Sequence, residues 1–154
     1  MQQQFEEIKD FLDKHKIKYQ VSEHEPVFTS EDAARVRGED LKTGAKALVL
    51  KADKKFILVV VRGDKKIDMK KLKGILHVKN LALAKPEDVF SVTNCEIGSV
   101  HPFGNLARLE IYFDRSLLEN KIINFNAGLH TMSIKMSCED FVRITKPRIE
   151  EFSQ

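Results

Sequence analysis

Two apolar runs lie close together in the middle of this chain and constrain its fold more than anything else in it. Ala45–Ala52 and Phe56–Val61 are joined by Asp53-Lys54-Lys55, a polar break that reads as the turn of a β-hairpin. Both runs carry apolar side chains at odd and even positions alike, so neither strand has a face to give to water. Such strands belong at the centre of a sheet covered on both sides. The second run is closed by Arg62 after six residues, far short of the roughly eighteen needed to cross a bilayer.

The flanking sequence supplies the cover. Phe5, Ile8, Phe11 and Leu12 recur at helical spacing and predict an amphipathic helix over residues 4–15. Ile17, Tyr19 and Val21 alternate with polar residues, as in a short strand. Thr29-Ser30-Glu31-Asp32-Ala33-Ala34 offers a hydroxyl N-cap with acids in the first turn, and Gly38 can end that helix. Asp68–Leu76 reads as a basic helix, Val78–Ala84 as a strand, and Pro86 as the first turn of a helix reaching about Phe90. Leu109–Phe113, Ile122–Phe125 and Thr131–Met136 read as further strands, with a helical turn at Ser116–Asn120. Ser137-Cys138-Glu139-Asp140 caps a last helix through Ile144. Strands and helices intermix without repeat or linker, which predicts one α/β domain over residues 1–154. With 42% hydrophobic and 32% charged residues, the composition argues against disorder.

Composition also narrows the function classes. The start, Met1-Gln2-Gln3-Gln4-Phe5-Glu6-Glu7, lacks the basic-then-apolar order of a secretory signal. Cys95 and Cys138 stand alone, without the spacing of a disulfide framework or a zinc cluster, and the five histidines sit at unrelated intervals. A cytoplasmic protein without a metal site or other cofactor is therefore expected. Between Lys42 and Lys85, thirteen basic residues face three acidic ones, a local +10 that leaves −7 for the rest of a chain whose total is +3. Such a basic segment fits a polyanion-binding face, with Lys42, Lys51, Lys65, Lys66, Lys70 and Lys71 as candidate nucleic-acid contacts. Solvation of strand edges and of one helix explains the same lysines.

No catalytic signature for a serine nucleophile, a zinc protease or a phosphate-binding loop is present. Four smaller features remain. Lys46 heads the face of its strand that also carries Leu48 and Leu50, which places its ammonium at the rim of a cleft, where it can hold a phosphate or stabilise charge on an ester oxygen. Snorkelling to solvent accounts for it as well. Gly98-Ser99-Val100-His101-Pro102-Phe103-Gly104 is a constrained loop that exposes backbone groups, and Phe103 could wall a pocket. A plain surface turn is the alternative. His24-Glu25-Pro26 precedes Thr29-Ser30, and Asn126-Ala127-Gly128-Leu129-His130 closes the set. His24 and His130 are candidate acid–base groups or simple structural donors.

In their order, these segments resemble the YbaK/ProX family of aminoacyl-tRNA deacylases, related to the editing domain of bacterial prolyl-tRNA synthetase. The resemblance runs through His24-Glu25-Pro26, Thr29–Ala34, Gly44–Lys51, Arg62-Gly63-Asp64, Gly98–Gly104, Asp114 and Asn126-Ala127-Gly128. It implies a single α/β domain with a mixed, barrel-like β-sheet and flanking helices. It also implies a trans-editing enzyme that hydrolyses the ester joining a wrong amino acid to the 3′ end of a tRNA. Lys46, Gly98 and His130 take the catalytic positions. His24, Thr29, Ser30, Val100, His101, Pro102, Phe103, Gly104, Asp114, Asn126 and Gly128 take those around the substrate. The expected partner is the tRNA acceptor end, with a synthetase as a further candidate. Such hydrolysis needs a placed water and oxyanion donors rather than an enzyme nucleophile, in keeping with the missing triad. The His101-Pro102-Phe103-Gly104 sequence and the absence of a Gly-Gly-x-Arg stretch tilt the substrate away from cysteine and towards alanine, serine or threonine. A non-catalytic tRNA-binding module of the same fold is the alternative reading.

Overall fold

A computed structural model describes residues 2–154. Its centre is the hairpin: β2 (Ala45–Ala52) pairs antiparallel with β3 (Lys55–Arg62) over its full length, Ala45 opposite Arg62 and Ala52 opposite Lys55. The turn is shorter than expected because Lys55 already belongs to the strand. Asp53 adopts a left-handed φ of 54°, as the first central residue of a two-residue hairpin turn does. Its carboxylate accepts the amides of Lys79 and Asn80 at 3.1 and 2.9 Å.

β4 (Leu81–Leu83) adds antiparallel to the outer side of β2. β5 (Ile111–Asp114) adds parallel to β3, and β8 (Arg148–Glu150) parallel to β5. The five-stranded sheet is therefore ordered β4-β2-β3-β5-β8, with the hairpin inside it as its two-faced hydrophobicity requires. Ala45, Ala47 and Val49 of β2 and Leu58 and Val60 of β3 enter the larger core. Leu50, Ala52, Ile57 and Val59 enter a smaller one on the opposite face, completed by Leu72, Tyr112 and Phe152. Fully burying an aliphatic side chain of this size contributes about 1.5–3 kcal/mol, so the hairpin supplies a large share of the core.

A second, antiparallel sheet of three strands has the order β1-β7-β6, from β1 (Tyr19–Glu23), β7 (Met132–Ser137) and β6 (Ile122–Asn126). The two sheets meet at one parallel bridge, Gly44 to Asn124. They form an open mixed arrangement and not a closed barrel. Helices α1 (Gln2–Lys14), α4 (Pro86–Thr93) and α5 (Cys138–Thr145) add Ile8, Leu12, Val89 and Phe141 to the larger core, while α3 (Met69–Leu76) covers the smaller one through Leu72.

The caps read from sequence hold the helix ends. Thr29 Oγ1 accepts the Asp32 amide at 3.0 Å at the start of α2 (Ser30–Arg37), and Gly38 ends it in the left-handed region. Ser137 caps α5 in the same way through the Asp140 amide. The first strand is shifted to Tyr19–Glu23 and the one read at Leu109–Phe113 to Ile111–Asp114, and two elements change in length. The strand foreseen at Val78–Ala84 keeps only Leu81–Leu83, and the helix beginning at Pro86 runs on to Thr93.

Candidate functional site

At the end of the hairpin where β2 begins and β3 ends, the two sheets part beside α2 and leave a cavity of about 200 Å³. Lys46 lines it, as do Thr29 and Ser30 from the start of α2, Gly98 and Val100 from the loop after α4, and Asn126 from β6. Residues far apart in the chain thus converge because the Gly44–Asn124 bridge fastens one sheet to the other. Lys46 is half-buried and its ammonium takes part in none of the ion pairs or side-chain hydrogen bonds among the described residues, so its charge is unpaired at the cavity. The Ser30 hydroxyl likewise has no hydrogen-bond partner among the described residues, whereas that of Thr29 is spent on the helix cap.

Gly98 sits at φ 89°, a conformation that side chains oppose, and its carbonyl accepts Asn126 Nδ2 at 2.7 Å. Ser99 ties the loop back through its amide and hydroxyl, both donating to the Glu96 carbonyl. Neither the Gly98 nor the Val100 amide donates to a protein acceptor among the described residues. Both residues line the cavity, which leaves two backbone donors for a developing oxyanion.

The other half of that loop points inward. Phe103 does not wall the cavity. It is fully buried and packs edge-on to Phe125 and against Phe141. Gly104 lies where a methyl would stand 2.7 Å from Ile111 Cγ1. Pro102 is buried. His101 is buried as well, and its Nδ1 accepts the Phe103 amide at 3.2 Å. The loop is thus half site and half anchor. Burial pushes the His101 pKa down to about 4. Protonation therefore favours the unfolded chain. The stability this histidine provides is complete above its ordinary value of 6.5 and drains away as pH falls towards 4. On the linkage relation that amounts to about 3 kcal/mol. Urea midpoints measured between pH 7 and 4 should fall accordingly, and His101→Gln, which keeps an acceptor but does not titrate there, should flatten the dependence.

The structure brings in one residue not singled out in the sequence. Arg37, on the last turn of α2, lines the cavity and donates three hydrogen bonds to neutral acceptors: Nε to Ser133 Oγ at 2.7 Å, Nη1 to Asn124 Oδ1 at 2.8 Å, and Nη2 to Asn126 Oδ1 at 2.9 Å. Desolvation lowers its pKa to about 10, against an opposing pull from Glu39, and it forms no ion pair among the described residues. The network continues outward. Ser133 Oγ lies 2.7 Å from His24 Nε2, and His24 Nδ1 lies 2.7 Å from the Glu25 carbonyl. The pattern closes with Nδ1 as the donor and Nε2 accepting the serine proton. His24 therefore stands behind the site, not in it. Arg37 fixes the Asn126 amide, and Asn126 fixes the Gly98 peptide. Arg37→Lys, which cannot make three divergent bonds, should lower kcat/KM for the reaction of this site by about tenfold or more, while thermal unfolding shifts by only a few degrees.

The remaining candidates are not among the residues that line the cavity, although His130 stands directly behind them, its Cε1 3.4 Å from where a methyl on Gly98 would be. His130 donates Nδ1–H to the Val27 carbonyl at 3.0 Å and sets its ring at a tilt against that of Phe28. At Gly128, φ is 86° and an added methyl would stand 3.0 Å from Gln4 Cβ, so it serves the approach of α1. Asp114 is wholly buried next to the C-terminal segment, bonded to Ser116, Phe152 and Ser153.

The lysines do not form one patch. Lys42 is exposed next to the cavity-lining Leu41. Lys51 lies at the far end of β2 with its ammonium 5.8 Å from the Phe56 ring centroid. Lys65 borders a second, open depression with Arg62, Arg115 and Glu119. Lys66 is exposed next to the C-terminal residue, and its backbone exchanges hydrogen bonds with Gln154. Lys70 and Lys71 are exposed on α3, Lys71 at 3.9 Å from Glu151. No helix among the described residues is long and apolar enough to cross a membrane.

Comparison with known proteins places this geometry among relatives. The model of the aminoacyl-tRNA editing domain matches residues 24–144. The chain is 31% identical over 139 residues to the multifunctional Ser/Thr-tRNA deacylase ProXp-y of Escherichia coli (strain K12), covering 87% of this chain and 83% of that one. It is 30% identical to the prolyl-tRNA editing protein ProX of Acetoanaerobium sticklandii, covering 88% and 86%. It is 34% identical to a stretch amounting to 21% of the proline–tRNA ligase of Caldicellulosiruptor saccharolyticus. A crystal structure of a candidate trans-editing enzyme for prolyl tRNA synthetase superimposes with a TM-score of 0.86 at 22% identity, over 98% of this chain and 97% of that one.

Proposed function

The chain belongs to the aminoacyl-tRNA editing domain family, and from that premise we propose that it is a trans-editing deacylase of mischarged tRNA. The observation that carries this reading is the cavity, which is lined by Lys46, whose ammonium has no ion pair among the described residues, and by Gly98 and Val100, whose amides donate to no acceptor among them. Water adds to the ester carbonyl, the two amides receive the oxyanion, and the bond to the ribose 3′ oxygen breaks. That oxygen takes up a proton, for which the neighbouring 2′-hydroxyl is the nearest carrier. Free amino acid and tRNA are released. Lys46 holds the terminal adenosine or its phosphate, or meets the growing charge directly.

Small acyl groups suit a cavity of this size, and the free Ser30 hydroxyl offers a partner for a substrate hydroxyl. Serine and threonine, which the Escherichia coli relative's name specifies, are therefore placed first, with alanine next and cysteine last. Synthetases need such a second site because a binding pocket gains only about 1–3 kcal/mol per methylene. The substrate puts this work in the cytoplasm, next to a synthetase that selects the tRNA body. Residues 1–154 are read as one domain, since α1, which precedes the family match, supplies Ile8 and Leu12 to the same core.

The test is a panel of proline tRNA charged separately with alanine, cysteine, serine, threonine and proline, incubated with and without the protein. Release of serine, threonine or alanine with prolyl-tRNA spared supports the reading and names the substrate. Uniform inactivity of folded protein that still binds tRNA would replace it with the binding-module reading. The binding itself should weaken as salt rises from low to moderate concentration, because phosphate contacts release counterions.

A further inference from the structure

The most exposed large apolar side chain among the described residues is Phe28, with 68% of its surface open, and it stands on the rim of the cavity. Ile97, half exposed, lines the same cavity. An aromatic ring left this open forgoes its own burial, yet Phe28 has a ring partner of its own. Its ring rests on the imidazole of His130, centroids 4.5 Å apart and planes at 37°. His130 is itself fixed by a reciprocal pair of bonds: Val27 N–H donates to the His130 carbonyl at 3.1 Å, and His130 Nδ1–H to the Val27 carbonyl at 3.0 Å. One residue further on, Thr29 caps α2. The ring is thus backed on one side by a second ring and anchored at its own backbone.

Cavity size says what such a surface is for. At about 200 Å³ it falls below the roughly 300–1,000 Å³ of pockets that enclose a whole ligand of drug size. An aminoacyl group with its ribose ester can enter, but the attached base must stay outside, at the rim. We infer that Phe28, backed by His130, is the platform on which the terminal base of the tRNA stacks while its acyl group lies in the cavity. This rests on the deacylase reading of the site. It gives His130 a positioning role, acting through Phe28. Base–aromatic stacking is tolerant of base identity and sets affinity, so Phe28 contributes to KM while Lys46 and the loop amides serve the chemistry.

The test uses the full chain and a CCA trinucleotide whose terminal 3′ oxygen is replaced by NH carrying seryl. It is prepared with 2-aminopurine as the terminal base, and again with an abasic terminal residue. Quenching of 2-aminopurine fluorescence reports stacking, and titration gives Kd. Wild type should quench the probe, while Phe28→Leu should lose the quenching and weaken binding about 5- to 150-fold. Phe28→Trp should retain both. The abasic probe should lose a similar factor with wild type and little more with Phe28→Leu, since the two changes remove one interaction. Far-UV circular dichroism of Phe28→Leu should match wild type, because the side chain is exposed. Equal binding and quenching by wild type and Phe28→Leu would overturn the inference alone. A folded wild-type protein that neither binds the probe nor hydrolyses seryl-tRNA would overturn the deacylase reading and this inference with it.

Discussion

Lys46→Ala is expected to lower kcat/KM for deacylation by about 100- to 1,000-fold, the range seen when a single preorganised donor to a developing charge is removed. The same substitution should leave chemical unfolding within about 0.5 kcal/mol of wild type. Both halves follow from the placement of this side chain. It has no ion pair and no hydrogen bond among the described residues to lose, and its backbone pairing with Val61 does not depend on the side chain. A lysine kept unpaired at a cavity does little for the fold. Lys46→Arg should recover part of the activity if charge is what matters, and less if the compact ammonium is needed. Near-full deacylation by a folded Lys46→Ala protein would refute the role.

Asp114→Ala should have the larger effect on stability, a loss of about 3–5 kcal/mol measured by urea unfolding. Asp114 Oδ1 accepts the amides of Phe152 and Ser153 at 2.8 and 3.0 Å. Its Oδ2 accepts the amide and hydroxyl of Ser116 and, at 2.7 Å, the hydroxyl of Ser153. Removing one acceptor strands the buried Phe152 amide and the half-buried donors of Ser116 and Ser153 at once, each at a cost of up to about 1–3 kcal/mol, and partial relaxation returns some of it. Burial pushes this carboxyl up, but the bonds from Ser116, Phe152 and Ser153 outweigh it and hold it below the usual carboxylate range. A depressed folded-state pKa means that the stability is present above the ordinary value of about 3.9 and is lost as pH falls through the folded one. Acid loss from Asp114 should therefore appear below the window assigned to His101. Hydrogen exchange at the Phe152 and Ser153 amides should accelerate in Asp114→Ala before the rest of the protein responds.

What the sequence disclosed depended on how local each signal was. The hairpin was legible because both strands are apolar on both faces, and the caps at Thr29, Gly38 and Ser137 because each is a contact within a few residues. β8 was not legible. Arg148-Ile149-Glu150 offers one apolar residue, and only the edge of β5 makes a strand of it. The expected strand from Val78 was trimmed because β2 offers it just three partners.

At the site, Lys46, Gly98, Val100, Thr29, Ser30 and Asn126 converge, whereas His24, His101, Gly128 and Asp114 support from behind or elsewhere. Arg37 went unseen because an arginine in the last turn of a helix, just before a glycine cap, also reads as a solvated charge. A trace of it did exist. Asn124 and Asn126 put two amides on one face of an otherwise apolar strand, and two inward amides call for a donor.

The Gly44–Asn124 bridge and the pairing of β1 with β7 also bear on the order in which the molecule is made. The hairpin joins neighbours in the chain, but Tyr19 finds its partner only at Met136, and Asn124 must return to Gly44. Closing such distances is costly in chain entropy and comes late. A refolding chain should hence regain much of its secondary structure in an early phase while still lacking a usable site. Catalytic activity should return with the slowest step. A growing chain that has already produced Lys46, Arg37 and the Gly98 loop should likewise remain inert until residues beyond Ser133 are available to pull them together.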